Sequence, residues 1–182
     1  MKTKRLSFSA MMAALATVLM LVGYFPYLTY AVPCVASLPI MVVLIELNKK
    51  SAIYTYIASV LPVFLFCEPE SKLLYLCFVG FYPVLKAVFE GLKSRALEFV
   101  LKFVSFNLGV AVIYLLSKFV FGISFEDLGE LGRYGAVIFL VLANLVFLAY
   151  DFCLSKMAAG FLSSPAFLNR ILRQKLQNFA VK

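Results

Sequence analysis

The chain has 182 residues, of which 64% are apolar, 16% aromatic and 14% charged. Soluble domains are typically about 45–50% apolar and about 25% charged, so this composition excludes both a water-soluble globule and a disordered chain. The net charge of +8 favours the basic loops of a membrane protein over nucleic-acid binding. Histidine is absent, which removes the commonest general base and metal ligand.

Six apolar segments predict an all-α integral membrane protein, a bundle of six transmembrane helices. The second and third segments are short and contain prolines, so we expect them to be kinked or partly shielded by protein. In the fourth, Gly80 and Pro83 predict either a kink that exposes backbone acceptors or ordinary helix packing. The segments cover residues 8–28, 32–47, 51–67, 73–92, 96–121 and 134–162.

The charges between these segments predict the orientation of the chain. One side collects eleven basic residues and no acidic residue between the spans, while the other side is mainly acidic. Because basic loops stay in the cytoplasm, both termini are predicted to be cytoplasmic. The basic residues are Lys2, Lys4, Arg5, Lys49, Lys50, Lys93, Arg95, Arg170, Arg173, Lys175 and Lys182.

Residues 1–164 are predicted to form a single transmembrane domain, and residues 165–182 a basic amphipathic helix at the inner surface. Ser164 and Pro165 are typical of a helix start, and apolar residues then recur at helical spacing between basic ones. Attraction to anionic lipid explains such a helix. The alternative is a docking surface for a cytoplasmic partner.

Eight charged residues lie within the apolar segments, and six of them, toward the cytoplasmic ends, are candidates for one network. Charges in such positions are costly, and they usually pair with one another. Two i,i+4 pairs of opposite charge lie on single helix faces, one in the fourth segment and one in the fifth. A buried charge network that ties helices together is the favoured interpretation, and a proton relay is the alternative. The residues are Glu46, Lys86, Glu90, Glu98, Lys102 and Asp151.

The outer half of the predicted bundle contains one cation, two amides and several phenols. This mixture suits a small flat or anionic ligand, because aromatic rings supply contact area while amides and Lys supply orientation. An aromatic belt with a snorkelling Lys explains the same residues without a ligand. The candidate ligand-binding residues are Tyr27, Tyr75, Tyr82, Asn107, Tyr114, Lys118 and Asn144.

Signatures of catalysis are missing from the sequence. There is no GxSxG, HExxH, P-loop or Rossmann glycine pattern, so we predict no enzyme activity, no catalytic residue, no metal site and no cofactor. The first segment contains Ala10 and Ala14, which form an AxxxA step. Small residues four apart let two membrane helices approach closely, so this step predicts a docking face for another membrane protein.

These features together resemble the substrate-binding S component of an energy-coupling factor (ECF) transporter. The resemblance covers the whole chain and rests on the six-span architecture, the aromatic first outer loop, the short acidic segment Cys67-Glu-Pro-Glu70, and the step at Ala10 and Ala14. It implies a vitamin or similar micronutrient bound beneath two outer loops, between spans one and two and between spans three and four. It also implies docking of Ala10 and Ala14 on a transmembrane coupling subunit that works with two cytoplasmic ATPases.

Two alternatives remain open at the level of sequence. The first is a membrane scaffold similar to the rod-shape-determining D-type proteins of bacteria, which transport no solute. The second is a stand-alone channel or proton-coupled carrier, which would depend on Lys86 and Asp151. His and Trp are absent, which departs from the nickel, cobalt and thiamine types of S component, so a flat or anionic ligand is expected, favoured by Lys118 and Arg133.

Overall fold

The computed structural model describes residues 2–25, 28–92, 94–120 and 132–163. Within these ranges every regular element is helical, as the sequence predicts. The α-helices are α1 (Lys2–Leu21), α2 (Ala31–Ala36), α3 (Leu38–Glu46), α4 (Lys49–Phe66), α5 (Pro69–Leu74), α6 (Tyr82–Phe89), α7 (Arg95–Val120) and α8 (Gly132–Leu162).

One core lies between α1, α3 and α4. Ala13, Ala16 and Met20 are buried on one face of α1, since residues three and four apart in a helix share a face. The small Ala side chains let neighbouring helices approach α1, and Met20 is fully buried in the same core. The buried residues of this core include Met20, Val32, Ala36, Ile40, Val43, Ala52, Val63 and Tyr75.

The second predicted segment is two helices rather than one. α2 ends at Ala36 and α3 begins at Leu38, with Ser37 between them. Pro39 lies in the first turn of α3, where its missing N–H leaves no helical hydrogen bond unmade. α4 begins after Asn48, whose side-chain oxygen accepts a hydrogen bond from the Ser51 N–H at 2.8 Å. Pro62 is accommodated inside α4.

The fourth predicted segment is interrupted at the kink that its sequence suggests. α5 continues into a π-helix over Tyr75–Val79, and a turn at Gly80 and Phe81 precedes α6. A Cβ atom on Gly80 would lie 2.7 Å from both the Tyr56 ring and the Tyr75 carbonyl oxygen. No side chain fits there, and this close approach explains the glycine.

A second, aromatic core joins α6, α7 and α8. The Phe106 and Phe147 rings stack with centroids 4.4 Å apart and planes 11° from parallel. Phe78 meets both rings edge-on, at 5.5 and 5.8 Å. Gly109 makes this packing possible, because a Cβ atom there would lie 2.9 Å from the Phe78 ring.

Four helices of the described chain are long and apolar enough to cross a membrane. Large apolar side chains remain exposed on their outer faces, such as Leu140 and Val146 of α8, at 42% and 65%. Monomeric soluble proteins rarely expose so much apolar surface, so the helices indicate a membrane-embedded protein. The four segments are Thr3–Tyr24, Pro69–Phe89, Arg95–Ser117 and Ile138–Leu162, and residues 31–46 form a shorter apolar pair of helices.

Candidate functional site

An ionic cluster ties α6, α7 and α8 together, with the Asp151 carboxylate at its centre. The Lys86 ammonium donates to Asp151 Oδ1, and the Lys102 ammonium donates to Asp151 Oδ2 at 3.2 Å. The Tyr82 hydroxyl also donates to Oδ1, at 2.6 Å. Both oxygens of one carboxylate are therefore used to hold two other helices.

Two glutamates complete the ionic cluster. Glu90 Oε1 lies 3.0 Å from Lys86 Nζ and 3.3 Å from Lys102 Nζ, and Glu98 Oε1 lies 2.7 Å from Lys102 Nζ. The lysine side chains are only 7% and 9% exposed, whereas Glu90 is 44% exposed. Two ammonium groups face three carboxylates, so the cluster has a formal charge of 2 − 3 = −1.

Helical spacing places these groups. Tyr82, Lys86 and Glu90 follow one another at four-residue intervals at the start, middle and end of α6. Ser155 stands four residues after Asp151 on α8, and its hydroxyl accepts from Lys86 Nζ at 2.7 Å. Ser155 was missed at the level of sequence, although its spacing from Asp151 is the signal that would have indicated it.

The ionic cluster has no free hydrogen-bond donor to offer an anion. Lys102 Nζ has three N–H groups and lies within 3.3 Å of three carboxylate oxygens. Lys86 Nζ is surrounded by Asp151 Oδ1, the Asp151 carbonyl, Ser155 Oγ and Glu90 Oε1. Among the described residues, no buried side-chain polar atom lacks a partner. These contacts are those of a structural cluster that holds α6, α7 and α8 together.

Glu46 lies in a different place from the other five predicted charges. It lines a recess with Lys4, Arg5, Phe8 and Leu47. The reason is topological, because the end of α3 packs beside the start of α1. The expectation of one network of six residues is therefore corrected to a cluster of five, with Glu46 apart.

Tyr75 and Tyr82 do not line an outer mouth. Both are 0% exposed. The Tyr75 hydroxyl shares a hydrogen bond of 2.7 Å with Ser59 in the first core, and Tyr82 belongs to the ionic cluster. A possible kink at Gly80 and Pro83 follows from the sequence, but the partners of the two tyrosines on α4 and α8 depend on tertiary packing.

Asn107 of α7 and Asn144 of α8 form a reciprocal amide pair. Each Nδ2 donates to the other's Oδ1, at 3.1 and 3.3 Å. Each also donates to the carbonyl four residues earlier in its own helix, at 2.9 and 2.8 Å. Both donors of each amide are thus used inside the protein, and none remains to orient a ligand.

Three candidate ligand residues remain. Tyr114 on α7 is 42% exposed. Tyr27 and the side chain of Lys118 lie outside the described part of the chain. Within the described part of the chain, the structure therefore brings the two amides together, whereas Tyr75 and Tyr82 contact other residues.

Three hydrogen bonds join Tyr24, Thr29 and Tyr30 to the segment 66–70. The Tyr24 hydroxyl donates to the Phe66 carbonyl at 2.7 Å, Thr29 donates to Glu68 at 3.2 Å, and Tyr30 donates to Glu70 at 2.9 Å. Partial burial, then the hydrogen bond and charge of Glu70, raise the pKa of Tyr30 above its usual value of 10. No spacing rule links residues about 40 apart, so the sequence did not reveal this contact.

Ala10 and Ala14 both face outward from α1. Both are exposed, whereas Ala13 and Ala16 are buried, so the AxxxA step is on the free surface of the bundle beside the buried face of α1. Met11 and Leu15 beside them are 59% and 45% exposed. The two alanines leave a shallow strip between larger apolar side chains.

Together, the fold and this site define an all-helical, membrane-type protein in which the ionic cluster joins three helices. Among the described residues, no group of three His, Cys, Asp or Glu side chains is placed to hold a metal ion. Comparison with known proteins finds no matching family model, no similar curated protein and no similar solved structure. The resemblance to S components therefore enters as a proposal.

Proposed function

We propose that this protein is a membrane-embedded, non-catalytic subunit of a larger membrane complex, and specifically the substrate-binding S component of an ECF-type importer. Its cargo is a vitamin or similar micronutrient. The observation that carries the proposal is the outward-facing step of Ala10 and Ala14 on α1.

Small residues four apart favour close contact between membrane helices, because they let the two backbones approach. In an isolated subunit, the strip at Ala10 and Ala14 would face only lipid tails, which pack poorly into it. A transmembrane coupling subunit, driven by two cytoplasmic ATPases, is the partner that the resemblance implies.

The proposed arrangement in the membrane has six spans and cytoplasmic termini. The short helices α2 and α3 together make the second span, and α4 makes the third, with 18 residues or about 27 Å of length. Basic residues at the start of α1 and of α4 would face the cytoplasm in the cell membrane of a bacterium.

The proposed ligand position lies beneath the segments 24–30 and 66–70, which their three hydrogen bonds hold together. Tyr27, Tyr114 and Lys118 remain the candidates for contact with a flat or anionic ligand. The proposal leaves out the four candidates whose polar groups form hydrogen bonds inside the protein, which are Tyr75, Tyr82, Asn107 and Asn144.

The same internal contacts favour a second candidate function, a non-transporting membrane scaffold resembling the rod-shape-determining D-type proteins. Four of the seven predicted ligand residues make hydrogen bonds that stabilise the bundle. A scaffold would need the docking strip on α1 but no ligand site.

Mild-detergent capture of tagged protein from its native membranes tests both functions. The variant Ala10→Leu/Ala14→Leu fills the strip on α1, and we expect it to recover at least tenfold less partner than the wild type. The control Ala58→Leu/Ala111→Leu makes the same change at exposed alanines of α4 and α7, and it should retain the partner. Equal recovery by both double variants would rule out docking through α1.

The identity of the captured proteins separates the two candidates. A coupling subunit with two ATPases, and a co-eluting small molecule identified by mass spectrometry, are expected for the S component. The variant Lys118→Ala should then lose the small molecule but keep the protein partners. Cell-wall assembly proteins without ATPases or ligand would replace this proposal with the scaffold.

A further inference from the structure

A recess lies between the start of α1 and the end of α3. It has a volume of about 210 Å3 and is lined by Lys4, Arg5, Phe8, Glu46 and Leu47. Its wall is both cationic and apolar, and it is built by side chains of two segments that are distant in sequence.

The position of the recess along α1 places it at a membrane surface. Lys4 precedes Tyr24 by 20 residues, or about 30 Å of helix, which matches the roughly 30 Å thickness of the hydrocarbon core. Tyr24 is 62% exposed and stands at the opposite end, where amphipathic rings lie at the level of the lipid head groups. Lys4 and Arg5 therefore lie at the level of the phosphates in the other leaflet.

The charges of the recess favour an anion. Lys4 and Arg5 outnumber Glu46, which gives the recess a formal charge of 2 − 1 = +1, and Lys50 follows nearby at the start of α4. An Arg guanidinium binds phosphate oxygens through two parallel hydrogen bonds. Phe8 and Leu47 offer contact to a hydrocarbon chain, which a soluble anion could not use.

We propose that this recess binds the head group of one anionic phospholipid, with its phosphate at Lys4 and Arg5 and the start of its acyl chain against Phe8 and Leu47. The bound lipid bridges α1 and α3. This proposal depends only on the protein being embedded in a membrane, so it stands apart from the S-component function.

Native mass spectrometry of the full chain, with phosphatidylglycerol or phosphatidylcholine of identical acyl chains, tests the site. We expect one phosphatidylglycerol to be retained by the wild type, and Lys4→Gln/Arg5→Gln to bind it about tenfold more weakly. The control Arg95→Gln/Lys156→Gln removes two exposed positive charges elsewhere and should bind as the wild type does. Should the first variant not fold, Arg5→Gln alone gives the same comparison.

Three results would overturn the lipid site. Equal retention of the two lipids would show no preference for an anionic head group. Equal weakening in both double variants would show attraction to the whole basic surface rather than to the recess. Displacement of the lipid by millimolar inorganic phosphate or glycerol phosphate would show a site for a soluble anion.

Discussion

Asp151 joins α8 to the ionic cluster. Its carboxylate accepts from Lys86, Lys102 and Tyr82, so neutralising it leaves the two buried ammonium groups with only Glu90 and Glu98 as charged partners. We expect Asp151→Asn to lower the free energy of unfolding by about 3 kcal/mol. SDS titration in mixed micelles, followed by circular dichroism, would measure this loss.

Ser155→Ala provides the matched control for the Asp151 variant. It removes one neutral acceptor of Lys86 and leaves both charges paired, so the expected loss is about 1 kcal/mol. If Asp151→Asn were no less stable than Ser155→Ala, the carboxylate would not be the centre of the cluster.

Tyr30 should ionise at a higher pH than a free tyrosine. The folded protein raises the pKa of Tyr30, so its contribution to stability is complete below pH 10 and is lost as the pH rises through the folded-state pKa. Ultraviolet difference titration of the wild type against Tyr30→Phe isolates this phenol. Removing its charged neighbour with Glu70→Gln should move the ionisation back toward pH 10, and an unchanged midpoint would contradict the contact.

At the scale of residues, the ion pairs within a helix could be predicted from the sequence, but the partners of the tyrosine hydroxyls could not. Lys86 with Glu90, and Glu98 with Lys102, follow from i,i+4 spacing along continuous helices. Tyr82 was assigned to the outer side because it is aromatic, although it stands one turn before Lys86 on the same face. Its contact with Asp151 depends on where α8 packs, which no local pattern encodes.

The break between α5 and α6 is the least regular element of the described chain. Gly80 lies where the Tyr56 ring and the Tyr75 carbonyl both approach within 2.7 Å of a hypothetical Cβ atom. We expect Gly80→Ala to lower the free energy of unfolding by about 1–3 kcal/mol, because backbone cannot move aside as a side chain can. The same SDS titration measures the change.

Gly160 of α8 is the control for this substitution. A Cβ atom there meets no atom within 4 Å, so Gly160→Ala should be neutral or stabilise the helix by up to about 1 kcal/mol. Equal losses in the two variants would mean that the close approach at Gly80 does not determine its effect.

At the scale of elements, apolarity predicted where helices occur but not how they are interrupted. α7 and α8 begin within two residues of the predicted segments, since charged or polar loops flank long apolar runs. The division at Ser37 and the π-helix over Tyr75–Val79 were not predicted. Both depend on tertiary partners, such as the hydrogen bond between Ser37 and Tyr150 of α8.

At the scale of the whole molecule, the contacts within the described chain show that α4 runs in the same direction as α1 and that α3 runs in the opposite direction. The end of α1 meets the end of α4 through Tyr24 and Phe66, whereas the start of α1 meets the end of α3 at Lys4 and Glu46. Which helices become neighbours could not be predicted from sequence, because nearly every face of each helix is apolar. Only the pattern of basic residues indicated the orientation in a membrane.

Cysteine labelling of intact cells would test that orientation. In a background without the four native cysteines, Glu70→Cys should react with a membrane-impermeant maleimide from outside. Lys50→Cys should react only after the cells are permeabilised, and both positions are exposed on the protein. Labelling of both in intact cells, or the reverse pattern, would contradict cytoplasmic termini.

The division of charges in the ionic cluster has a consequence for biosynthesis. Helices enter the bilayer in chain order, and each lone charge opposes insertion by about 2.5–3.5 kcal/mol. α6 and α7 arrive with their own counter-charges, Glu90 for Lys86 and Glu98 for Lys102. α8 brings Asp151 last, when both ammonium groups are already in place to receive it. The one charge of the cluster that has no counter-charge on its own helix therefore belongs to the last of the three helices in the chain.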